Sequence, residues 1–224
     1  YRAITLNPVS EPPPQDPLRV VGNWLDLAVA EAVQRHPNAM TLATVDANGR
    51  PSARVVLLKN FSRTEGFVTF YTHYESRKAL ELESSGRAAA VLHWDKLGRQ
   101  VRFEGPVVRS PDEESDAYFA SRPAGSQINA CISAQSSPLD DLDELVNLAK
   151  QTAAGLGVDI EQPGPGDVAR PSFWGGYRLW FDALELWKEG ADRFHLRLRY
   201  ERELEPRDAH HFNAGEWICH LLQP

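Results

Sequence analysis

Strand-like runs recur along almost the whole chain with no helix placed regularly between them, and this pattern restricts the fold more than any other feature. "AMTLATV" (39–45) and "SARVVLLK" (52–59) flank the turn "DANGRP", whose Asn48-Gly49 suits positive φ. "GFVTFYT", "AAAVLHW", "RQVRFEGPVV", "FWGGYRLWF", "ALELW", "FHLRLRY" and "EWICHLL" follow. A doubly wound sheet needs a helix after each strand, so the pattern predicts a mainly β fold, an antiparallel barrel with peripheral helices. In "FHLRLRY", Phe194, Leu196 and Leu198 alternate with His195, Arg197 and Arg199, which predicts one apolar and one basic face.

Few helices are expected. Asp16 is a suitable N-cap and Pro17 a suitable first residue for a helix carrying Leu18, Val21, Leu25, Ala28, Val29 and Ala32 on its stripe. Another opens at Ser76, a third covers Glu113 to Ser121, and a fourth runs from Leu139 to Ala154 with Leu139, Leu142, Leu145, Val146 and Leu148 on a stripe. Residues 1–15 read as a proline-rich extended arm, 16–224 as a single domain, and 155–170 as a Gly/Pro loop. A hydrophobic content of 42% is ample for a core in a chain of 224 residues. The net charge of −7 and scattered basic residues argue against a nucleic-acid role. Cys131 and Cys219 have no metal-ligand spacing, so a reducing compartment, the cytoplasm, and no metal are expected. No apolar run approaches the roughly 20 residues that span a bilayer, and no signal peptide is visible, so no membrane partner is expected.

The chemistry-bearing residues are cationic and aromatic. In "FYTHYESRKALEL" (70–82), Arg77 and Lys78 oppose the helix dipole at the start of a helix, an arrangement a bound anion would explain, the alternative being a solvated helix end. Arg54 and Lys59 sit five residues apart at opposite ends of a strand and point to opposite faces, so they need not share one ligand; taken alone, the segment reads first as an edge strand with a charge at each end. "YFASRP" sets Tyr118 and Arg122 one helical turn apart with Ser126 just beyond, a possible phosphate clamp. "AQSS" offers Gln135 and Ser136 in a turn. "DRFHLR" places Arg193, His195 and Arg197 on one strand face, a like-charge cluster that calls for an anionic or electron-rich ligand, with Trp187 upstream as a stacking platform. Glu81, Glu83 and "DDLDE" read as solvated helix faces, and the remaining histidines as surface or structural. Two cationic groupings with aromatic platforms suggest two phosphorylated planar ligands, one of them a cofactor.

"RVVLLK", "FYTHYESRKALEL", "RQVRFEG", "YFASRPAGSQI", "AQSS", "SFWGGYRL", "LELW" and "DRFHLR" resemble, in order, the motifs of the FMN-dependent pyridoxine/pyridoxamine 5'-phosphate oxidases. The resemblance implies an antiparallel FMN-binding split β-barrel and a homodimer with FMN at the subunit interface. It matches Arg54, Val55, Val56, Leu57, Leu58, Lys59, Tyr71, Thr72, Arg77, Lys78, Gln100, Gln135, Ser136, Trp187 and Arg197 to FMN contacts, with Arg77 and Lys78 on the phosphate. Lys59, Tyr118, Arg122 and Ser126 match a substrate-phosphate clamp, and Arg193 and His195 the catalytic pair over the pyridine ring. The implied reaction passes a hydride equivalent from substrate C4' to the flavin, which molecular oxygen reoxidises with release of hydrogen peroxide; an amine substrate's imine is hydrolysed to aldehyde and ammonia.

Three positions depart from the family pattern. Leu196 replaces an acid after His195, Leu221 a basic residue, and the arm "YRAITLNPV" lacks an Arg-x-x-Tyr segment. Restoring the acid with Leu196→Asp is expected to raise the flavin-reduction rate. A related branch, the phenazine-biosynthesis flavin oxidases, takes unphosphorylated tricyclic acids and is the alternative, along with a flavin- or pyridoxal-phosphate-binding protein with little catalysis. The four clamp residues favour a phosphorylated pyridine substrate.

Overall fold

The computed structural model describes residues 13–160, 164 and 167–224. Most of the expected arm, and residues 161–163, 165 and 166 of the Gly/Pro loop, therefore lie outside the described residues. The chain runs α1 (Pro17–Ala30), β1 (Ala39–Val45), β2 (Pro51–Leu57), β3 (Asn60–Phe61), β4 (Phe67–His73), α2 (Arg77–Ser85), β5 (Arg87–Trp94) and β6 (Arg99–Arg109). It continues through α3 (Asp112–Ala120), α4 (Ala124–Ile132), α5 (Leu142–Gly155), β7 (Trp174–Trp180), β8 (Ala183–Lys188), β9 (Leu196–Glu201), β10 (Leu204–Pro206), β11 (Phe212–Ala214) and β12 (Ile218–Leu222).

All the strand pairs are antiparallel, and the main sheet runs β12-β9-β8-β6-β5-β1-β2, with β7, β4 and β3 branching from β6. The long β6 causes the branch. Its first part pairs with β5 and β8, and its last three residues with β7. Gly105 lies just before this change of partner, and a Cβ there would fall 2.0 Å from the Trp180 carbonyl oxygen, so only glycine permits the strands to come so close. The curled sheet encloses Met40, Leu42, Phe70, Trp94, Phe103 and Leu184, all fully buried. The fold is the antiparallel barrel with peripheral helices that the strand pattern predicts, in the split form that the family resemblance implies.

Asp16 caps α1 as expected, accepting from the Leu18 and Arg19 amides. The helix ends before Ala32, and Val29 is exposed, so the stripe that is buried runs through Leu18, Val21, Trp24 and Ala28. In the β1–β2 turn only Gly49 takes positive φ (78°), while the Asp46 carboxylate gathers the Asn48 and Arg50 amides. Two short elements, β3 and the β10–β11 hairpin, were not expected, nor was α4. The apolar stripe of α5 lies on the chain's surface, with Leu142 65% and Val146 43% exposed; Ala153 is that helix's buried residue.

The expected strand "FHLRLRY" is shorter than its alternation suggests. A 3-10 turn covers Ala191–Arg193 with φ of 51° at Asp192 and 65° at Arg193, and β9 starts only at Leu196. Phe194 is 77% exposed. Arg193, His195 and Arg197 therefore do not share one strand face.

Candidate active site

The start of α2 assembles the first group. Ser76 occupies the N-cap position, but its hydroxyl donates to the His73 carbonyl (2.7 Å) and caps no helical amide. Lys78 turns back over it, its Nζ donating to Thr72 Oγ1 (3.0 Å), Ser76 Oγ (3.2 Å) and Gln135 Oε1 (2.5 Å). This ties Thr72 of β4 and Gln135 of the turn after α4 to α2. Burial pulls the Lys78 ammonium down to about 8; Arg54 adds to the shift and Glu81 opposes it. Ser136 beside Gln135 has φ of 77°, and both line an open cleft of about 800 Å³ with Arg77 and Glu81.

Glu81 is not solvated. It is 4% exposed, and its carboxylate accepts from Thr44 Oγ1 (2.5 Å), Arg54 Nη2 (3.0 Å) and Arg77 Nε (2.7 Å). Burial pushes its pKa up, but these hydrogen bonds outweigh that and hold it below the usual carboxylate range, so it stays ionised. Arg54 is committed to the chain too, donating also to Leu42 O, Thr44 Oγ1 and Ser52 Oγ. Of its neighbours in β2 and just after it, Val55 is exposed, Val56 and Leu57 are half-buried, and Leu58 is in the core.

Beside this group, on β4, Tyr71 begins the second. Its ring stacks on Tyr118 (4.1 Å between centroids) and on Trp174 (5.5 Å). Lys59 Nζ lies 5.4 Å from the Tyr118 ring centre, and the Arg122 guanidinium 4.7 Å from that of Trp174. Burial, helped by the Glu114 carboxylate, raises the Tyr71 phenol to about 12. Arg122 follows the end of α3, and Ser126 stands in the first turn of α4. Arg122 Nη1 is buried with no hydrogen-bond partner. A buried guanidinium nitrogen left unpaired is costly, and an anion bound there would remove the cost. Trp174 is a member of this cluster that was not foreseen from the sequence; its place in "FWGG" signalled only a strand.

The third group lies on the sheet. Strand register aligns Gln100 of β6 with Trp187 of β8 and Trp187 with Arg197 of β9, a row of side chains on one face. The His195 ring lies against Trp187, 4.7 Å between centroids and tilted by 41°, and its Nδ1 accepts from the Gly190 amide. Arg197 is neutralised inside the chain: Nε and Nη2 both donate to buried Glu185 (2.9 and 3.1 Å). The like-charge cluster expected here is therefore broken by a carboxylate the sequence did not single out. Arg193 is exposed in its turn.

Arg197 on β9 and Arg54 on β2 lie five strand steps apart in the order of the curled sheet. Among the described residues, no hydrogen bond, ion pair or ring contact joins the sheet group to the other two. The same residues contain no cluster of three His, Cys, Asp or Glu side chains arranged to hold a metal ion, and no helix long and apolar enough to cross a membrane.

Two family models match, "Pyridoxamine 5'-phosphate oxidase" over residues 26–153 and "Pyridoxine 5'-phosphate oxidase C-terminal dimerisation region" over 174–224. The chain belongs to the pyridoxamine 5'-phosphate oxidase family. It is 45% identical to a pyridoxine/pyridoxamine 5'-phosphate oxidase of Cupriavidus necator, over 93% of this chain and 89% of that protein. It is 46% identical to one of Rubrobacter xylanophilus, over 84% and 82%. Among solved structures, PhzG of Burkholderia lata in complex with tetrahydrophenazine-1-carboxylic acid superposes with a TM-score of 0.81, at 33% identity and 99% of both chains. A pyridoxamine 5'-phosphate oxidase-related, FMN binding protein of Nostoc punctiforme has the same fold, with a TM-score of 0.67, 15% identity and coverage of 91% and 96%.

Proposed function

We propose that this protein is an FMN-dependent oxidase converting pyridoxine 5'-phosphate or pyridoxamine 5'-phosphate to pyridoxal 5'-phosphate, with reduction of oxygen to hydrogen peroxide. Family membership and relatives at about 45% identity support the activity. One observation carries the substrate class: Arg122 Nη1 is buried and unpaired beside the Trp174, Tyr118 and Lys59 cluster. Lys59 Nζ, Tyr118 Oη and Ser126 Oγ likewise have no hydrogen-bond partner in the chain among the described residues, so four donors remain for a substrate phosphate.

FMN is the cofactor, and the donor set at α2 fits its phosphate: the two terminal nitrogens of Arg77 have no partner among the described residues, and Lys78 stands beside Gln135. Bound there, the flavin supplies the redox chemistry. The residues of the chain do the rest. Lys59, Tyr118, Arg122 and Ser126 hold the substrate phosphate, and the stacked rings of Tyr71, Tyr118 and Trp174 exclude water beside it. Tyr71 remains a neutral phenol at working pH.

The sheet group completes the site from a second copy. Its separation from the α2 group and the matching dimerisation region support a homodimer in which Gln100, Trp187, Arg193, His195 and Arg197 face the α2 and clamp groups of the other subunit. Residues 16–224 form one such domain, working in the cytoplasm. In this arrangement His195 and Arg193 lie against the substrate ring, where charge changes during oxidation.

The whole-chain likeness to PhzG favours a second reading, oxidation of a dihydrophenazine acid. Anaerobic rapid mixing decides between them. Pyridoxine 5'-phosphate or pyridoxamine 5'-phosphate is expected to bleach the flavin absorbance, and bleaching by a dihydrophenazine acid alone overturns the primary reading.

A further inference from the structure

We propose that Glu81 is the positioning residue of the cofactor-phosphate site: it grips Arg77 through Nε and thereby presents both terminal guanidinium nitrogens of Arg77 to the phosphate. This rests on the reading that the FMN phosphate sits at the start of α2. The pair is poorly explained as support for the helix. Arg77 precedes Glu81 by four residues, the weaker order for an i,i+4 pair, and it places a cation at the positive end of the helix dipole. Arg77 is also 61% exposed, so burying its own side chain contributes little to holding the helix, although its partner carboxylate is only 4% exposed.

What sets the pair apart is how firmly its carboxylate is held. Glu81 Oε2 is fixed by Thr44 from β1 and by Arg54 from β2, and Arg54 is itself anchored on Leu42 O and Ser52. Oε1 is left to accept from Arg77 Nε at 2.7 Å. A guanidinium is planar, so binding one edge at Nε orients the opposite fork, and neither Nη of Arg77 has a partner among the described residues. The cleft that holds Gln135 and Ser136 opens beside that fork. A long, exposed side chain is thus ordered before its ligand arrives, which lowers the entropic cost of binding.

Riboflavin lacks only the phosphate, so the full chain stripped of flavin is titrated with FMN and with riboflavin, following flavin fluorescence. Glu81→Ala is expected to weaken FMN binding about tenfold or more and to change riboflavin binding less than about twofold. Because Glu81 acts through Arg77, the Arg77→Ala/Glu81→Ala variant is expected to bind FMN no more weakly than Arg77→Ala alone. Equal losses for both flavins, additive losses in the double variant, or no loss at all overturns the proposal. If Arg77→Ala itself spares FMN, the phosphate reading falls and takes this inference with it. If Arg77→Ala costs FMN affinity and Glu81→Ala does not, only the inference falls. Should Glu81→Ala not fold, Thr44→Val removes one of the bonds that hold the carboxylate while keeping its charge. An FMN loss of about threefold with riboflavin unchanged supports positioning, and unchanged FMN affinity overturns it.

Discussion

Around the start of α2, Lys78, Thr72 and Gln135 hold one another, and Glu81 fixes Arg77 and Arg54, all within a single chain. In the third group, Arg193 stands exposed in a turn with φ of 65°, followed by an exposed Phe194; the turn is held by backbone hydrogen bonds from Phe194 to Ala191 and from His195 to Arg193, and the His195 ring by Trp187 and the Gly190 amide. The difference teaches where each part of the site gets its order. The group at α2, which we propose binds the cofactor phosphate, is preorganised by contacts between strands and helix, whereas the Arg193 side chain in its turn is left exposed, as the proposed second subunit would require. A ligand should therefore feel mutations at the first region mainly as lost affinity, and mutations at the second mainly as lost rate.

The largest effect expected from this contrast is at the cofactor phosphate. Arg77→Ala with Lys78→Ala should cost FMN binding about 3 to 6 kcal/mol, from roughly 1.5 to 3 kcal/mol per charged hydrogen bond. Fluorescence titration of the flavin-free variant measures it, and an unchanged Kd would remove the phosphate from α2. Replacing His195 should do the opposite, leaving FMN bound while slowing flavin reduction.

Next comes Leu196, the position where the family pattern has an acid. The expectation that Leu196→Asp would repair the site does not survive the structure, because Leu196 is 9% exposed and packed in the main core. An acid there would be buried among apolar side chains instead of reaching the ring beside His195. Leu196→Asp should lower stability by about 3 kcal/mol, combining lost packing with a desolvated carboxylate. A denaturant midpoint equal to the wild type's would show instead that the turn rearranges to expose the residue.

Arg122 gives a smaller effect on a different quantity. Its guanidinium touches the substrate phosphate in the proposed complex, and that contact persists from ground state to transition state. Arg122→Ala should raise KM for pyridoxine 5'-phosphate about tenfold or more with kcat changed far less, as expected when a charged hydrogen bond is lost. A fall in kcat at constant KM would move Arg122 from the clamp to the reacting end.

What could be read in the sequence follows the range of the interactions. Alternation and turn residues are local, so β1, β4, β5, β6, β7 and β8 lie close to where their patterns put them. "AGSQINACI" escaped as a helix because Gly, Ser and Asn are weak helix formers; its packing against α3 and α5 supplies what propensity does not. Glu81 looked solvated because its partners Thr44 and Arg54 lie 37 and 27 residues away. Glu185 was missed for a similar reason, since only strand register brings Arg197 beside it. In "DRFHLR" the alternation was real from Leu196 onward, but it was extended through Phe194 into a turn whose positive φ no residue type there announces. The candidate site residues were named through motifs; their division into preorganised and exposed groups was not legible there.

The subtlest test of that division is a pH profile, because it reads the preorganised side without removing any residue. Burial, with repulsion from Arg54, brings the Lys78 ammonium down to about 8 in the ligand-free chain. Below that pH the lysine is charged and ready for a phosphate. Above it the amine is mostly neutral, so binding the anion requires uptake of a proton, and affinity must fall as pH rises. The phosphate itself does not contribute over this window, since its second pKa lies near 6. The Kd for FMN should therefore be nearly flat from pH 6.5 to 7.5 and weaken by about tenfold by pH 9, approaching one decade per pH unit beyond. Riboflavin, with no phosphate, should show no such slope, and Lys78→Arg, whose charge persists, should flatten the FMN profile. An FMN affinity independent of pH up to 9.5 in the wild type would mean that Lys78 is not drawn to the phosphate, leaving Arg77 alone to carry the site.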